Sequence, residues 1–161
     1  MGVTIREARY DDASLLHSLI QELAAFEKLS HEVEATEDQI RETLLGEQSS
    51  AHAIIAEFDG EPVGFAVYFF NYSTFMGRPG LYIEDLFVNP ARRGEGIGRA
   101  LFSYCARVAL KKNCGRLEFA VLHWNPARQF YERMGAKAMS DWVVYRLMGE
   151  ALEKASRLIE G

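Results

Sequence analysis

Apolar residues along this chain switch between the two-residue period of strands and the three-to-four-residue period of helices. Residues 3–8 alternate and predict a first strand. Asp11 or Asp12 then caps a helix through about residue 28, with Leu15, Leu16, Leu19, Ile20, Leu23 and Phe26 on one face. Thr36 and Gln39 have the spacing of a capping box for a short helix ending near Gly46. Residues 51–58 and 62–71 are apolar strands joined by Asp59-Gly60, a hairpin signal. Residues 81–88 form the next strand, which Asn89-Pro90 stops, and the periodic run from Ile97 predicts a helix to about residue 112. A strand over 117–123, a helix over 126–134 closed by Gly135, a last strand over 142–148 and an amphipathic C-terminal helix complete the pattern. Trp124 and Trp142 read as core aromatics. Hairpins first and βαβ-like elements later predict an α/β fold, a mixed sheet with helices on both faces, as a single domain over 1–161.

The stretch between the strand at 81–88 and the helix from Ile97 is Arg93-Gly94-Glu95-Gly96-Ile97-Gly98. A glycine loop in strand–loop–helix context can turn several N–H groups toward one point, and the helix terminus adds about half a positive charge. Its natural guest is a phosphate or pyrophosphate. A P-loop needs Gly-Lys followed by Ser or Thr, whereas Gly98 precedes Arg99 and Ala100. A dinucleotide fold wants Gly-x-Gly-x-x-Gly after its first strand, which Gly94, Gly96 and Gly98, spaced by two and past mid-chain, do not supply. The pattern Arg-x-x-Gly-x-Gly, met by Arg93, Gly96 and Gly98, resembles the acyl-CoA loop of the GNAT N-acetyltransferases. The bland alternative is a turn built of glycines.

Composition narrows the class without naming it. With 161 residues, 48% hydrophobic and 25% charged, the chain is ordinary for a globular protein with a sizeable core. A formal net charge of −5 argues against a nucleic-acid surface and mildly favours a cationic substrate. Cys105 and Cys114 lack metal or redox spacing and read as buried thiols of a reducing compartment. His17, His31, His52 and His123 are scattered with no ligand spacing, so no metal is expected. The polar start and the lack of an apolar run near ~20 residues make a cytoplasmic, non-membrane protein the expectation.

Residues 5–30, 68–77, 82–98 and 120–136 resemble the diamine (spermidine/spermine) acetyltransferase family. Phe26-Glu27-Lys28-Leu29-Ser30 and Tyr72-Ser73-Thr74 are closer to its thialysine N-ε-acetyltransferase branch, because the polyamine branch tends to carry an acid near Ser73. The resemblance implies acetyl-CoA as co-substrate, a small amine as acceptor and a homodimer to which the segment from Asp141 contributes. It places the backbone of Leu86, Phe87 and Val88 along the acetyl-CoA arm and the residues from Arg93, Gly94, Glu95, Gly96, Ile97 and Gly98 to Arg99 around the pyrophosphate. Plain strand core is the competing reading for Leu86, Phe87 and Val88, and both can hold.

Tyr131 follows Phe130 and matches the Asn…Phe-Tyr motif of the family, which implies a cofactor contact and the acid that protonates the departing thiolate. A phenol of pKa near 10 suits a thiol of about 8.5. The family carries one more residue between its asparagine and tyrosine than Asn125 and Tyr131 show, a departure that bears on Asn125 as a cofactor contact more than on Tyr131. Glu84 and Asp85 are adjacent acids in an apolar strand, expected on opposite faces. A charge there is costly unless paired or used. Glu84 is assigned to the amine, attracting the ammonium and accepting its proton. That help matters because an amine of pKa about 10.4 is only about 0.04% neutral at pH 7. Asp85 is either a second amine-site acid or one half of an ion pair with Arg6 or Arg116. Phe26 and Glu27 match amine-site positions of the family, a helix-end core contact and a solvated carboxylate being the competing readings, and Glu118, in the strand across the cleft, is a lesser candidate.

The expected function is acetyl-CoA-dependent acetylation of a primary amine on a lysine-like amino acid or short diamine, by direct attack in a ternary complex. A polyamine or another amine is the alternative substrate, and a non-catalytic acyl-CoA-binding module is the alternative class.

Overall fold

The computed structural model describes residues 2–159, which form two compact units, one through Leu122 and one from His123 onward. In the first unit, strands β1 (Val3–Glu7), β2 (His52–Phe58), β3 (Glu61–Ser73), β4 (Arg78–Val88) and β5 (Arg116–Phe119) make one sheet in sequential order. The first three neighbouring pairs are antiparallel; β4 and β5 are parallel. A parallel pair needs a crossover, and helix α3 (Ile97–Lys111) supplies it. Helices α1 (Ala13–Phe26) and α2 (Glu37–Thr43) complete this unit.

The central strands are apolar at successive positions because both faces are covered. Ile54, Ala56, Ala66 and Tyr68 pack with Ile97, Leu101 and Cys105 of α3 on one face. Ala53, Ile55, Phe65 and Val67 pack with Leu16 and Leu19 of α1 and Ile40 of α2 on the other. The expected mixed sheet with helices on both faces is therefore present. At the β2–β3 hairpin, Asp59 and Gly60 both take positive φ, 50° and 87°, as a type I′ turn requires.

Two helix ends follow the local chemistry. Gln39 N–H donates to Thr36 Oγ1 at 3.1 Å and Thr36 N–H to Gln39 Oε1 at 2.9 Å, the reciprocal box expected from their spacing. Helix α1 closes at Phe26, with Lys28 at φ 60°, Lys28 N–H on Ala25 O and Leu29 N–H on Ala24 O. This is a Schellman end with lysine where glycine is usual. Asp12 is the N-cap of α1, yet its carboxylate makes no cap hydrogen bond; it takes Arg6 at 2.8 Å and Arg9 N–H at 2.7 Å.

The second unit holds α4 (Ala127–Arg133), with Gly135 at φ 96° beyond its end, and α5 (Gly149–Ser156). The strand expected over 142–148 is absent. Trp142, Val144 and Tyr145 are 78%, 80% and 91% exposed, so Trp142 is no core aromatic, and Trp124, at 41%, is not one either. A β-branched and aromatic run favours a strand only where a neighbouring strand takes its backbone groups, and among the described residues none pairs with this segment. β5 is also shorter than expected, ending at Phe119.

Candidate active site

β4 leads from the sheet into the glycine loop, and a bulge decides what it presents. Ile83 pairs with Tyr68 and Asp85 with Val67, so Glu84 is an extra residue without a partner on β3. The insertion shifts the alternation. Leu81 and Ile83 belong to the α3-side core, and after the bulge Leu86 and Val88 join that side, while Phe87 packs on the α1 side. The opposite-face expectation for Glu84 and Asp85 rested on unbroken alternation, which the bulge removes. Asp85 shares the α1-facing side with Val67 and Phe87, and Glu84 is exposed.

The acids gather here. Burial, then the charges of Glu84 and Glu27, push the Asp85 carboxyl up to about 7. Burial also raises the Glu27 carboxyl, at the C-cap of α1. Tyr82 joins the group: burial, then the charges of Glu84 and Glu118, raise its phenol. Glu118 lies opposite Tyr82 in the β4–β5 ladder, and its carboxylate meets Arg116 Nε at 3.1 Å. The ion pair considered for Asp85 does not form. Arg116 is engaged with Glu118, and Arg6 holds Asp12 at 2.8 Å and Glu57 at 3.3 Å. Tyr82 was not singled out from sequence; its place two residues before Glu84 was the available signal.

The β4–β5 ladder ends at Ile83 with Phe119, so among the described residues, 84–88 of β4 have no strand partner on that side. The side chains of Leu86, Phe87 and Val88 pack as the strand-core reading expects, and among the described residues one edge of their backbone meets no strand. The loop fits an anion. Gly94 and Gly96 take φ 86° and 84°, and beyond each glycine and its chain neighbours no heavy atom stands within 4 Å of where a Cβ would sit. Gly96 is the N-cap of α3 and offers no side-chain cap; the first intrahelical bond is Ala100 N–H to Gly96 O at 3.0 Å. Helix geometry therefore leaves the amides of Ile97, Gly98 and Arg99 pointing out of the helix start.

Two of the arginines lie on aromatic rings. Arg92 lies over the Phe58 ring at 4.5 Å and 3.5 Å from Glu95, and Arg93 over the Phe26 ring at 4.2 Å. Arg99 is exposed. In the second unit, Tyr131 is 9% exposed and its ring meets that of Phe130 edge-on at 5.2 Å. Asn125 Oδ1 accepts from Ala127 N–H at 2.9 Å, so this side chain serves the start of α4. Both cysteines are buried and free, and burial pushes the Cys105 thiol up to about 12, which keeps it protonated and poorly nucleophilic. Among the described residues no group of three His, Cys, Asp or Glu side chains could hold a metal ion, and no helix is long and apolar enough to cross a membrane.

Comparison with known proteins places this geometry. The family model described as acetyltransferase (GNAT) family matches residues 16–136. A thialysine N-epsilon-acetyltransferase of Bos taurus is 40% identical, covering 94% of this chain and 96% of its own length. An L-ornithine N5-acetyltransferase of Arabidopsis thaliana is 29% identical over 96% of this chain and 88% of its own length. Among solved structures, an integron cassette protein of V. cholerae superposes with a TM-score of 0.81 at 28% identity, covering 98% of this chain and 99% of that one. The match runs through the bulged strand, the glycine loop and α4, and on it this chain belongs to the GNAT family as an N-acetyltransferase.

Proposed function

We propose that this enzyme transfers acetyl from acetyl-CoA to the primary amine of a small cationic substrate, a lysine-like amino acid such as thialysine or a short diamine. The amine would attack the thioester directly in a ternary complex. The observation that carries this reading is the set of carboxyl groups of Glu27, Glu84 and Asp85 around the β4 bulge, on the strand that runs into the glycine loop. Relatives named for thialysine and ornithine acetylation support an amino acid with a terminal side-chain amine as acceptor. Family membership and the match at 16–136, which crosses the boundary at Leu122, support one acetyltransferase domain over 1–161.

The roles follow from charge. The amides at the start of α3 hold the diphosphate, and the open edge of Leu86, Phe87 and Val88 takes the arm that carries the acetyl group. A backbone N–H there polarises the thioester carbonyl. Glu84 and Asp85 draw in the ammonium, with Glu27 and Phe26 at the end of α1 and Glu118 on β5 around it. Glu84 accepts the proton, directly or through water, and frees the nitrogen lone pair. As the C–N bond forms and the C–S bond breaks, Tyr131 gives its phenolic proton to the thiolate, and the second proton, shed by the new amide nitrogen, passes through water to restore the phenol. A second reading makes Asp85 the proton acceptor. It is favoured by a carboxyl pushed up to about 7, matched to exchange near neutrality. The protonated, buried Cys105 supports transfer without a covalent enzyme intermediate.

A homodimer in the cytoplasm belongs to the same proposal. The exposed apolar side chains of Trp142, Val143, Val144 and Tyr145 support a second copy covering this segment, and light scattering on the purified protein reads it.

Calorimetry with CoA and acetyl-CoA, followed by steady-state turnover of thialysine, putrescine and spermidine, tests the reading. Binding with a preference for thialysine is expected. Equal rates on all three amines would leave the amino-acid assignment without content. CoA binding without turnover of any amine would make the protein an acyl-CoA-binding module.

A further inference from the structure

Arg93 joins the two halves of the proposed reaction. It opens the glycine loop, but its guanidinium carbon lies 4.2 Å from the centroid of the Phe26 ring and 6.0 Å from that of Phe87. Its Nε–H donates to the Val88 carbonyl at 3.3 Å. The loop, the end of β4 and the last residue of α1 thus meet on one planar cation. The neighbouring arginine follows the same pattern, over Phe58 and beside Glu95.

A guanidinium laid on an aromatic face is held by the ring quadrupole and by dispersion, and it offers in-plane N–H donors at its edge. Lysine carries the same charge but neither the plane nor the fork. Phe26 is the point where α1 ends and the backbone turns through Glu27 to Lys28 at φ 60°, so clamping that ring also fixes where Glu27 begins.

We propose that Arg93 is a positioning residue that clamps Phe26 at the amine site and ties it to the strand end at Val88, rather than a side-chain ligand of the cofactor's phosphates. This rests on the function proposed above. In this arrangement the diphosphate is held by main-chain amides, and Arg93 acts on the amine through Phe26.

The test compares wild type, Arg93→Ala, Arg93→Lys, Phe26→Leu and the double variant Arg93→Ala/Phe26→Leu. Thermal melts confirm folding, calorimetry measures CoA affinity, and steady-state kinetics use the best amine of the panel. Arg93→Ala is expected to keep CoA affinity within about threefold of wild type while raising the amine KM about tenfold, with a smaller change in kcat. Arg93→Lys should recover little of that loss, and it is the variant to read if Arg93→Ala does not fold. In the Phe26→Leu background, removing Arg93 should cost less than about threefold. The proposal is overturned if CoA affinity falls tenfold or more with the amine KM unchanged. It also fails if lysine restores the KM, or if Arg93→Ala costs the same with and without Phe26. A wild type that binds no CoA or turns over no amine sinks the functional reading itself, a result distinct from any of these.

Discussion

Asp85 follows Glu84 at a bulge in β4, and the charge of Glu84 disfavours ionisation of the Asp85 carboxyl. That effect, with the charge of Glu27 and above all burial, pushes Asp85 up to about 7 from its ordinary value of 3.8. Between about pH 4 and pH 7 the folded protein therefore holds a proton that the unfolded chain has released. Where the native state binds more protons, stability falls as pH rises. The Asp85 contribution is thus harmless below about pH 4 and a full penalty above about pH 7. Asp85→Asn removes the ionised form, so it should be more stable than wild type by about 2 kcal/mol at pH 8, with the gap closing toward pH 4. Chemical denaturation across that range reads it. A gap independent of pH would mean Asp85 has a partner that offsets its charge.

Glu84 carries the next expectation. An exposed carboxylate beside a substrate ammonium stabilises the charged amine and also receives its proton. Glu84→Gln removes both effects. Amine KM should rise about tenfold, and the rate against pH should shift to higher pH, where more of the amine is neutral without help. If the profile stays where it is and Asp85→Asn moves it instead, Asp85 is the proton acceptor.

The proposed acid role of Tyr131 can be tested apart from cofactor binding. Its assignment rests on the family motif and its place after Phe130 in α4, a helix whose start Asn125 and Pro126 fix. Tyr131→Phe keeps the ring and its edge-on contact with Phe130 and deletes the phenolic hydroxyl. Turnover should drop about a hundredfold while CoA affinity measured by calorimetry stays within about twofold. A variant as fast as wild type would remove the thiolate's acid from this residue.

Most of this fold could be read along the chain, because its signals are local. Asp59-Gly60, the Thr36–Gln39 box and the glycines before Ile97 each specify a backbone conformation without help from distant residues. The parts that could not be read depend on pairing. The strand expected over 142–148 has the right side chains, but propensity does not supply a neighbour. The bulge at Glu84 is invisible to a two-residue period, since it exists only relative to Val67 and Tyr68 on β3. Two adjacent acids in an apolar strand were its one outward sign. The engagement of Arg93 with Phe26 is likewise a contact across 67 positions that no spacing rule anticipates.

Gly96 and Gly98 give a paired test of the loop. Gly96 holds φ 84°, a left-handed conformation that costs a residue with a Cβ about 1–2 kcal/mol, although beyond its chain neighbours nothing within 4 Å would obstruct the added methyl group. Gly98 lies in the first turn of α3, its φ needs no glycine, and a Cβ there would meet only Val88 Cγ2 at an ordinary 3.7 Å. The two substitutions thus separate backbone strain from the mere presence of a methyl group. Gly96→Ala should lower stability by about 1 kcal/mol and weaken CoA binding about tenfold, because relieving the strain swings the amides of Ile97 and Gly98 off their common target. Gly98→Ala should leave stability the same or slightly higher, since alanine is the better helix former. Any affinity it loses would report how closely the diphosphate approaches the helix start. Thermal melts and CoA calorimetry on both variants decide it. Equal losses of stability would show that the strain at Gly96 is not what shapes this loop.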